Sequence, residues 1–279
     1  MDTTSFFAAL PAKFAGDPAT SDPLDPQWDE FKAQVAGYTS SNELAVLNLA
    51  AQLMPADECY LEVGTFKGRS MVGAVQGNDG VFYAMENFLE FGMAGQEARA
   101  ELMDNLATHA AGKDVRLLEG DNFRLMAQPG IVDRPVGVYF YDGEHTLLAH
   151  YLALAAVEPL LADEALVLVD DASWPVVQNA HAKYLAKNPE WSLVERWDAT
   201  SDEDERWAHG LHALVFKRTE PSVLTGRDEA LRKFEVHVQS RLNRIGWKLA
   251  AKFPKTMTWG ANVVMGRSRA IGSSSSSSH

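Results

Sequence analysis

The sequence predicts a doubly wound α/β fold, and three observations carry that prediction. Short apolar runs recur at residues 59–63, 81–85, 115–118, 136–141 and 165–169, each of strand length. Segments of helix length lie between them, at 70–76, 95–111, 122–128 and 147–161, and strands that alternate with helices form a parallel sheet covered on both faces. A glycine turn follows the first run and opens the first of these helices.

Residues 1–24 are rich in Pro, Asp and Thr and show no period, so they read as an irregular arm. Residues 25–36 form a short helix with Trp28, Phe31 and Val35 on one face. Ser40 and Glu43 have the spacing of a capping box ahead of a helix at 43–53, which Pro55 stops. After the last parallel strand come a helix at 176–187 and two strands at 191–197 and 211–216. The charged stretch 198–206 between these two strands makes them a hairpin-like pair at the sheet edge. Beyond Lys217 a long, basic amphipathic helix is expected over 227–253. It carries Arg232, Lys233, Arg241, Arg244, Lys248 and Lys252 opposite Leu231, Phe234, Val238, Leu242 and Ile245. Its apolar face suits packing or a homo-oligomer contact, a role open to the N-terminal arm as well; its basic face suits an anionic surface. The expected divisions are an arm and short helix at 1–37, a central domain at 38–218, a helical extension at 219–271, and a linker or tag remnant at 272–279.

The 279 residues are 46% hydrophobic, ample for one large domain with appendages. A formal net charge of -13 argues against general nucleic-acid binding, which needs clustered Lys and Arg. The single Cys59 excludes an intrachain disulfide and a cysteine zinc cluster, and reads as a buried, inert thiol. The start of the sequence has no signal-peptide pattern. The apolar stretch 152–169 is broken by Glu158, Pro159, Asp163 and Glu164, so a membrane span is not expected and a cytoplasmic location is.

Ligands of open parallel sheets bind outside the carboxyl ends of the strands. Asp142 ends the run 136–141, and Asp170 and Asp171 end the run 165–169, so three acids should converge at one edge. Close carboxylates repel unless a cation sits among them, and oxygen ligands suit Mg, Ca or Mn. The plainer reading is three acids that cap strand ends or the helices that follow. After the first strand, Glu62-x-Gly64-x-x-x-Gly68 is neither the dinucleotide fingerprint nor a P-loop. Gly64 permits a tight turn, Gly68 and Ser70 open the helix near a ligand, and Glu62 would repel a phosphate but suit a cation or ammonium. Glu86 ends the second strand, 22 residues after Gly64, where an acid holds ribose hydroxyls in nucleotide-binding α/β folds.

Together these residues resemble the class I S-adenosylmethionine-dependent methyltransferases over roughly residues 38–217: Glu62-x-Gly64-x-x-x-Gly68, Glu86, Glu119-Gly120-Asp121 and Asp142. The resemblance implies a Rossmann-like, seven-stranded, mostly parallel sheet whose last strand is antiparallel. It also implies the donor's amino-acid end near Glu62 and Gly64, ribose on Glu86, and adenine near Asp121 and Asn122, with Ser70 and Asp142 in the same donor site. Asp142 followed 28 positions later by Asp170-Asp171 is similar to the metal triad of catechol O-methyltransferase-like enzymes, which place a base three residues after the first Asp. Here that position is His145, where those enzymes usually have Lys. The D-x-x-H form resembles bacterial methyltransferases acting on sugars or other natural-product hydroxyls. The substrate so implied is a small hydroxylated molecule, with Asp142 and His145 as catalytic residues.

A divalent cation on Asp142, Asp170 and Asp171 could lower the pKa of a bound hydroxyl, and His145 could take its proton, unless it merely caps the helix after it. Trp174 is placed either at the acceptor pocket or in the core. Tyr38 and residues 40–42 lie over the donor by resemblance, or serve as a plain cap. Arg69 reads as a surface cation; His150, His181, His209 and His212 read as structural or surface residues. Two other functions compete. A nicotinamide-dependent oxidoreductase lacks its closely spaced glycines and its Tyr-x-x-x-Lys pair. A scaffold that only binds the donor would leave three acids without purpose.

Overall fold

The computed structural model describes residues 1–88, 93–201, 204–242 and 245. The strands are β1 Cys59–Val63, β2 Val81–Glu86, β3 Asp114–Glu119, β4 Val136–Tyr141, β5 Leu161–Val169, β6 Trp191–Trp197 and β7 Leu211–Lys217. Among the described residues they form one seven-stranded sheet of order β3-β2-β1-β4-β5-β7-β6. β1 to β5 pair in parallel, while β7 runs antiparallel to both β5 and β6, as the resemblance implies. The helices are α1 Thr3–Ala9, α2 Gln27–Gln34, α3 Ser41–Gln52, α4 Arg69–Val75, α5 Met93–His109, α6 Asn122–Leu125, α7 Leu147–Val157, α8 Pro175–Leu185 and α9 Gly226–Phe234.

The apolar runs become central strands because side chains of successive residues point to opposite faces and both faces are covered. Tyr60, Phe82, Val138, Phe140, Leu166 and Leu168 pack on one side with α3 and α4. Leu61, Val63, Tyr139, Tyr141, Val167 and Val169 pack on the other with α7 and α8. Emptying one such position, for example Phe140→Ala, is expected to cost about 3–5 kcal/mol. Cys59 lies in the second layer, fully buried, and burial pushes its thiol up to about 12. The register sets the carboxyl ends level: Val63 pairs with Met85 and Tyr141, Tyr141 with Val169, and Glu86 with Glu119.

Two expectations are corrected. The first residues are not irregular: Asp2 caps α1 by accepting from Ser5 N at 3.0 Å, and Phe6, Leu10 and Phe14 are buried in the core. Thr3 fastens this arm to β5, its backbone N donating to Glu164 Oε1 at 2.9 Å. β5 itself begins at Leu161, four residues before its apolar run, because Asp163 and Glu164 find partners at the lower edge in Arg218, Thr3 and Lys217. Of the long helix expected at 227–253, the described part is α9 followed by a π turn at Glu235–Gln239; most of the remainder lies outside the described residues. Among the described residues no helix is long and apolar enough to cross a membrane.

Candidate active site

The β4 and β5 ends are tied together by backbone bonds. Asp142 N donates to Val63 O at 2.9 Å, and Asp170 N donates to Tyr141 O at 3.0 Å. Asp170 then bends back on its neighbour, its Oδ1 accepting from Asp171 N at 2.7 Å. Asp171 adopts φ +54, a left-handed conformation uncommon for a residue other than glycine. That turn carries its carboxylate between two imidazoles: His145 Nε2 is 3.1 Å from Oδ2, and His209 Nδ1 is 3.1 Å from Oδ1. Trp174 lies across both rings, at 5.0 Å from His145 and 5.3 Å from His209.

Asp142, His145 and Asp171 present ligand atoms within 4.8 Å of one another. Asp170, the third predicted ligand, lies outside this group, and His145 stands inside it. Burial, then the charges of Asp171, Glu43, Glu62 and Glu86, hold the Asp142 carboxyl well above the usual carboxylate range. Burial, then Glu43, Asp142 and Asp171, do the same to Asp170. So much like charge at one strand edge is relieved by protons or by a cation.

Glu43 belongs to this cluster, which its place in a capping box did not reveal. One oxygen serves the cap, Oε2 accepting from Ser40 N at 2.7 Å. The other, Oε1, is buried on the side of Asp170. Burial, and less so the Asp171 charge, push the Glu43 carboxyl up to about 7. His209, read from the sequence as structural or surface, is partly exposed and also pairs with Asp171. The connection into β7 brings it there: Ala172 N donates to Gly210 O and Ser173 N donates to His209 O, both at 2.8 Å.

The glycine turn sits beside these acids. Gly64 has φ +88, and a Cβ there would stand 1.8 Å from the Asp142 carbonyl oxygen. Gly68 is the N-cap of α4. Glu62 is fully buried beneath the loop, accepting from Tyr60 OH at 3.0 Å and Ser70 Oγ at 2.7 Å. Burial pushes its carboxyl up to about 7. Glu86 gathers the loop from the β2 side, its two oxygens accepting from the N–H groups of Phe66, Asn87 and Phe88 at 2.9, 2.7 and 3.1 Å. Asp121 caps α6 through Arg124 N at 3.0 Å, with Asn122 the first residue of that helix. Arg69, expected at the surface, is half-buried and clamps the α2–α3 connection, donating to Val35 O, Thr39 O and Lys32 O at 2.6, 3.2 and 3.2 Å. Tyr38 on that connection is exposed and stacks on Phe66 at 5.8 Å. His150, His181 and His212 are buried, in keeping with structural roles.

A family model described as a methyltransferase domain matches residues 61–172, the span from β1 to the Asp171 turn. No curated protein sequence matches the chain. Among solved structures, the chain is similar to an O-methyltransferase from Bacillus cereus in complex with SAH, at 16% identity and TM-score 0.53, covering 70% of this chain and 92% of that one. It is also similar to the O-methyltransferase TomG from Streptomyces achromogenes, in complex with SAM, at 16% identity and TM-score 0.52, covering 77% and 96%. At such identities the likeness establishes the fold, which is the Rossmann-like sheet described above. Residues 61–172 thus match a methyltransferase domain, and the chain shares the fold of these O-methyltransferases.

Proposed function

We propose that this enzyme methylates a hydroxyl of a small molecule, with S-adenosylmethionine as donor and a divalent cation at the acid cluster. The observation that carries the reading is His145 Nε2 held 3.1 Å from Asp171, within a group that also includes Asp142, at the strand edge beside the Gly64 turn. Support for the O-methyl assignment comes from the O-methyltransferases that share the fold.

The donor would lie along the carboxyl ends of β1 to β4. Its amino-acid end would meet the β1 turn, where Gly64 packs against the Asp142 carbonyl and Gly68 caps α4, with Glu62 and Ser70 bracing the turn from below. Glu86 keeps lone pairs on both oxygens for the ribose hydroxyls, and Asp121 and Asn122 stand where adenine is expected. Asp142 and Asp171 would hold the cation, with Asp170 on the adjoining strand end. The two carboxylates suit Mg²⁺ or Mn²⁺, which leaves the His145 lone pair free of the cation, and the raised Asp142 carboxyl and buried Glu43 Oε1 fit a site completed by positive charge. When bound, the cation would lower the pKa of the acceptor hydroxyl.

His145 Nδ1 is buried, so Nε2 is the nitrogen that faces the site. It takes the hydroxyl proton as the oxygen attacks the sulfonium methyl, and the donor leaves as a neutral thioether. Asp171 beside Nε2 stabilises the imidazolium that forms. Such base assistance is worth roughly 10²–10⁴-fold, and positioning roughly 7–11 kcal/mol, so loss of Asp142 should hurt more than loss of His145. The test is donor titration with and without Mg²⁺, followed by turnover on a panel of sugars, phenols and other hydroxylated molecules. Asp142→Ala should abolish cation-stimulated turnover and leave donor binding largely intact. Full activity in excess chelator would remove the cation from the proposal.

A further inference from the structure

The C-terminal extension reaches the same edge of the sheet. Arg232 Nη1 donates to Phe123 O at 3.0 Å, and Ser240 Oγ donates to Asp121 Oδ2 at 3.3 Å. Tyr151 OH on α7 donates to Asp228 Oδ1 at 3.1 Å. These bonds lay the π turn Glu235–Gln239 over α6, the helix that begins with Asn122.

Glu235 in that turn is 0% exposed, and among the described residues no N–H group meets its carboxylate oxygens, the Glu144 carboxyl being the side chain that lies against it. Asp121 and Glu144 face it. A buried carboxylate without N–H donors, set against two further acids, is costly unless something supplies N–H groups. The converse deficit lies close by: Asn122 Nδ2 is buried and donates to nothing among the described residues. Asp121, the acid that the family resemblance assigns to adenine, is already engaged, with Oδ1 on Arg124 N and Oδ2 on Ser240 Oγ. One small region therefore holds, among the described residues, acceptors without N–H donors and a donor without an acceptor.

We propose that Glu235 is a donor-binding residue, which with Asn122 reads the amino edge of the adenine ring. Glu235 accepts from the exocyclic amino group, and Asn122 Nδ2 donates to a ring nitrogen beside it. Adenine carries an N–H donor and a bare ring nitrogen side by side, the complement of what these two side chains lack. Hypoxanthine carries the reverse pattern, a carbonyl beside an N–H. The extension is then a wall of the donor site rather than packing alone. The inference rests on the reading of this edge as the S-adenosylmethionine site.

The test is calorimetric titration of the full chain with S-adenosylhomocysteine and with S-inosylhomocysteine, which has a carbonyl in place of the amino group. The wild type should prefer the adenosyl compound by about 10-fold or more, since unpaired buried polar groups discriminate strongly. Glu235→Gln, whose amide can donate to that carbonyl, should bring the two affinities within about threefold. Asn122→Ala should weaken adenosyl binding about tenfold and also narrow the ratio, giving a second variant if Glu235→Gln does not fold. An unchanged ratio in a folded variant overturns the proposal. A wild type that binds neither compound overturns the donor reading itself.

Discussion

His209 Nδ1 and His145 Nε2 grip opposite oxygens of the Asp171 carboxylate, each at 3.1 Å. His145 is next to Asp142, whereas His209 reaches the site from the connection into β7, so Asp171 is fixed from both sides of the sheet edge. His209→Gln should let this carboxylate swing and loosen its hold on His145. The expected result is kcat lowered about 10-fold with the donor dissociation constant unchanged, since positioning rather than donor contact is lost. The pH profile of kcat should also shift, because Asp171 sets the environment of His145. An unchanged kcat and profile would leave His209 a bystander.

The Gly64 backbone packs directly against the Asp142 carbonyl. Alanine at 64 would need φ +88 and would place its methyl 1.8 Å from the Asp142 carbonyl oxygen. Something must move, and what moves is the β1 turn or the strand end bearing Asp142. Gly64→Ala should cost about 2–4 kcal/mol in a urea melt and abolish donor binding. A variant that melts like the wild type would show the turn to be looser than described.

Much of this site was legible because its acids end apolar runs. A strand buried on both faces reads as a continuous hydrophobic stretch, and the first polar residue after it falls at the carboxyl edge; Glu86, Asp142 and Asp170 were found that way. What sequence could not supply was the backbone turn at Asp171, whose φ of +54 sends its side chain toward the β7 connection and so recruits His209. Glu43 was legible as half of a capping box, but its second oxygen could be placed only once α3 was packed on the sheet. The arm at 1–24 was misread because a seven-residue helix is too short to show a period, although Asp2 and Ser5 carry its cap. β5 was read short because Asp163 and Glu164 interrupt its apolar run, and their partners Arg218 and Thr3 are remote in sequence.

Glu62 gives the protein a pH dependence with a definite sign. Its carboxyl is raised from 4.5 to about 7 by burial. A carboxyl raised on folding favours the native state fully below its unfolded value, and that stability is lost as pH rises through the folded value. Donor-free protein should therefore weaken between about pH 4.5 and 7 by up to roughly 3 kcal/mol from this group. Glu62→Gln should flatten that part of a denaturation-against-pH curve; an equally steep variant would assign the slope elsewhere, for instance to Glu43.

Arg69 holds the α2–α3 connection through three carbonyls, a task that suits a guanidinium fork and not an ammonium. Arg69→Lys should lower stability by about 1–2 kcal/mol and increase hydrogen exchange over residues 35–40. Unaltered exchange there would mean the connection is held by packing alone.

Glu86 should bind the donor through charge-assisted bonds to ribose worth about 1.5–3 kcal/mol, so Glu86→Ala should weaken S-adenosylmethionine binding roughly 10- to 150-fold. An unaltered dissociation constant would place ribose elsewhere.

The most direct measurement of the central claim is a crystal structure grown with S-adenosylhomocysteine and Mn²⁺, using the anomalous signal of the metal. The account predicts a manganese peak bridging the Asp142 and Asp171 carboxylates, with ribose on Glu86 and the donor sulfur directed at the same space. Donor bound along the β1 turn, with no anomalous density between those two carboxylates, would contradict it.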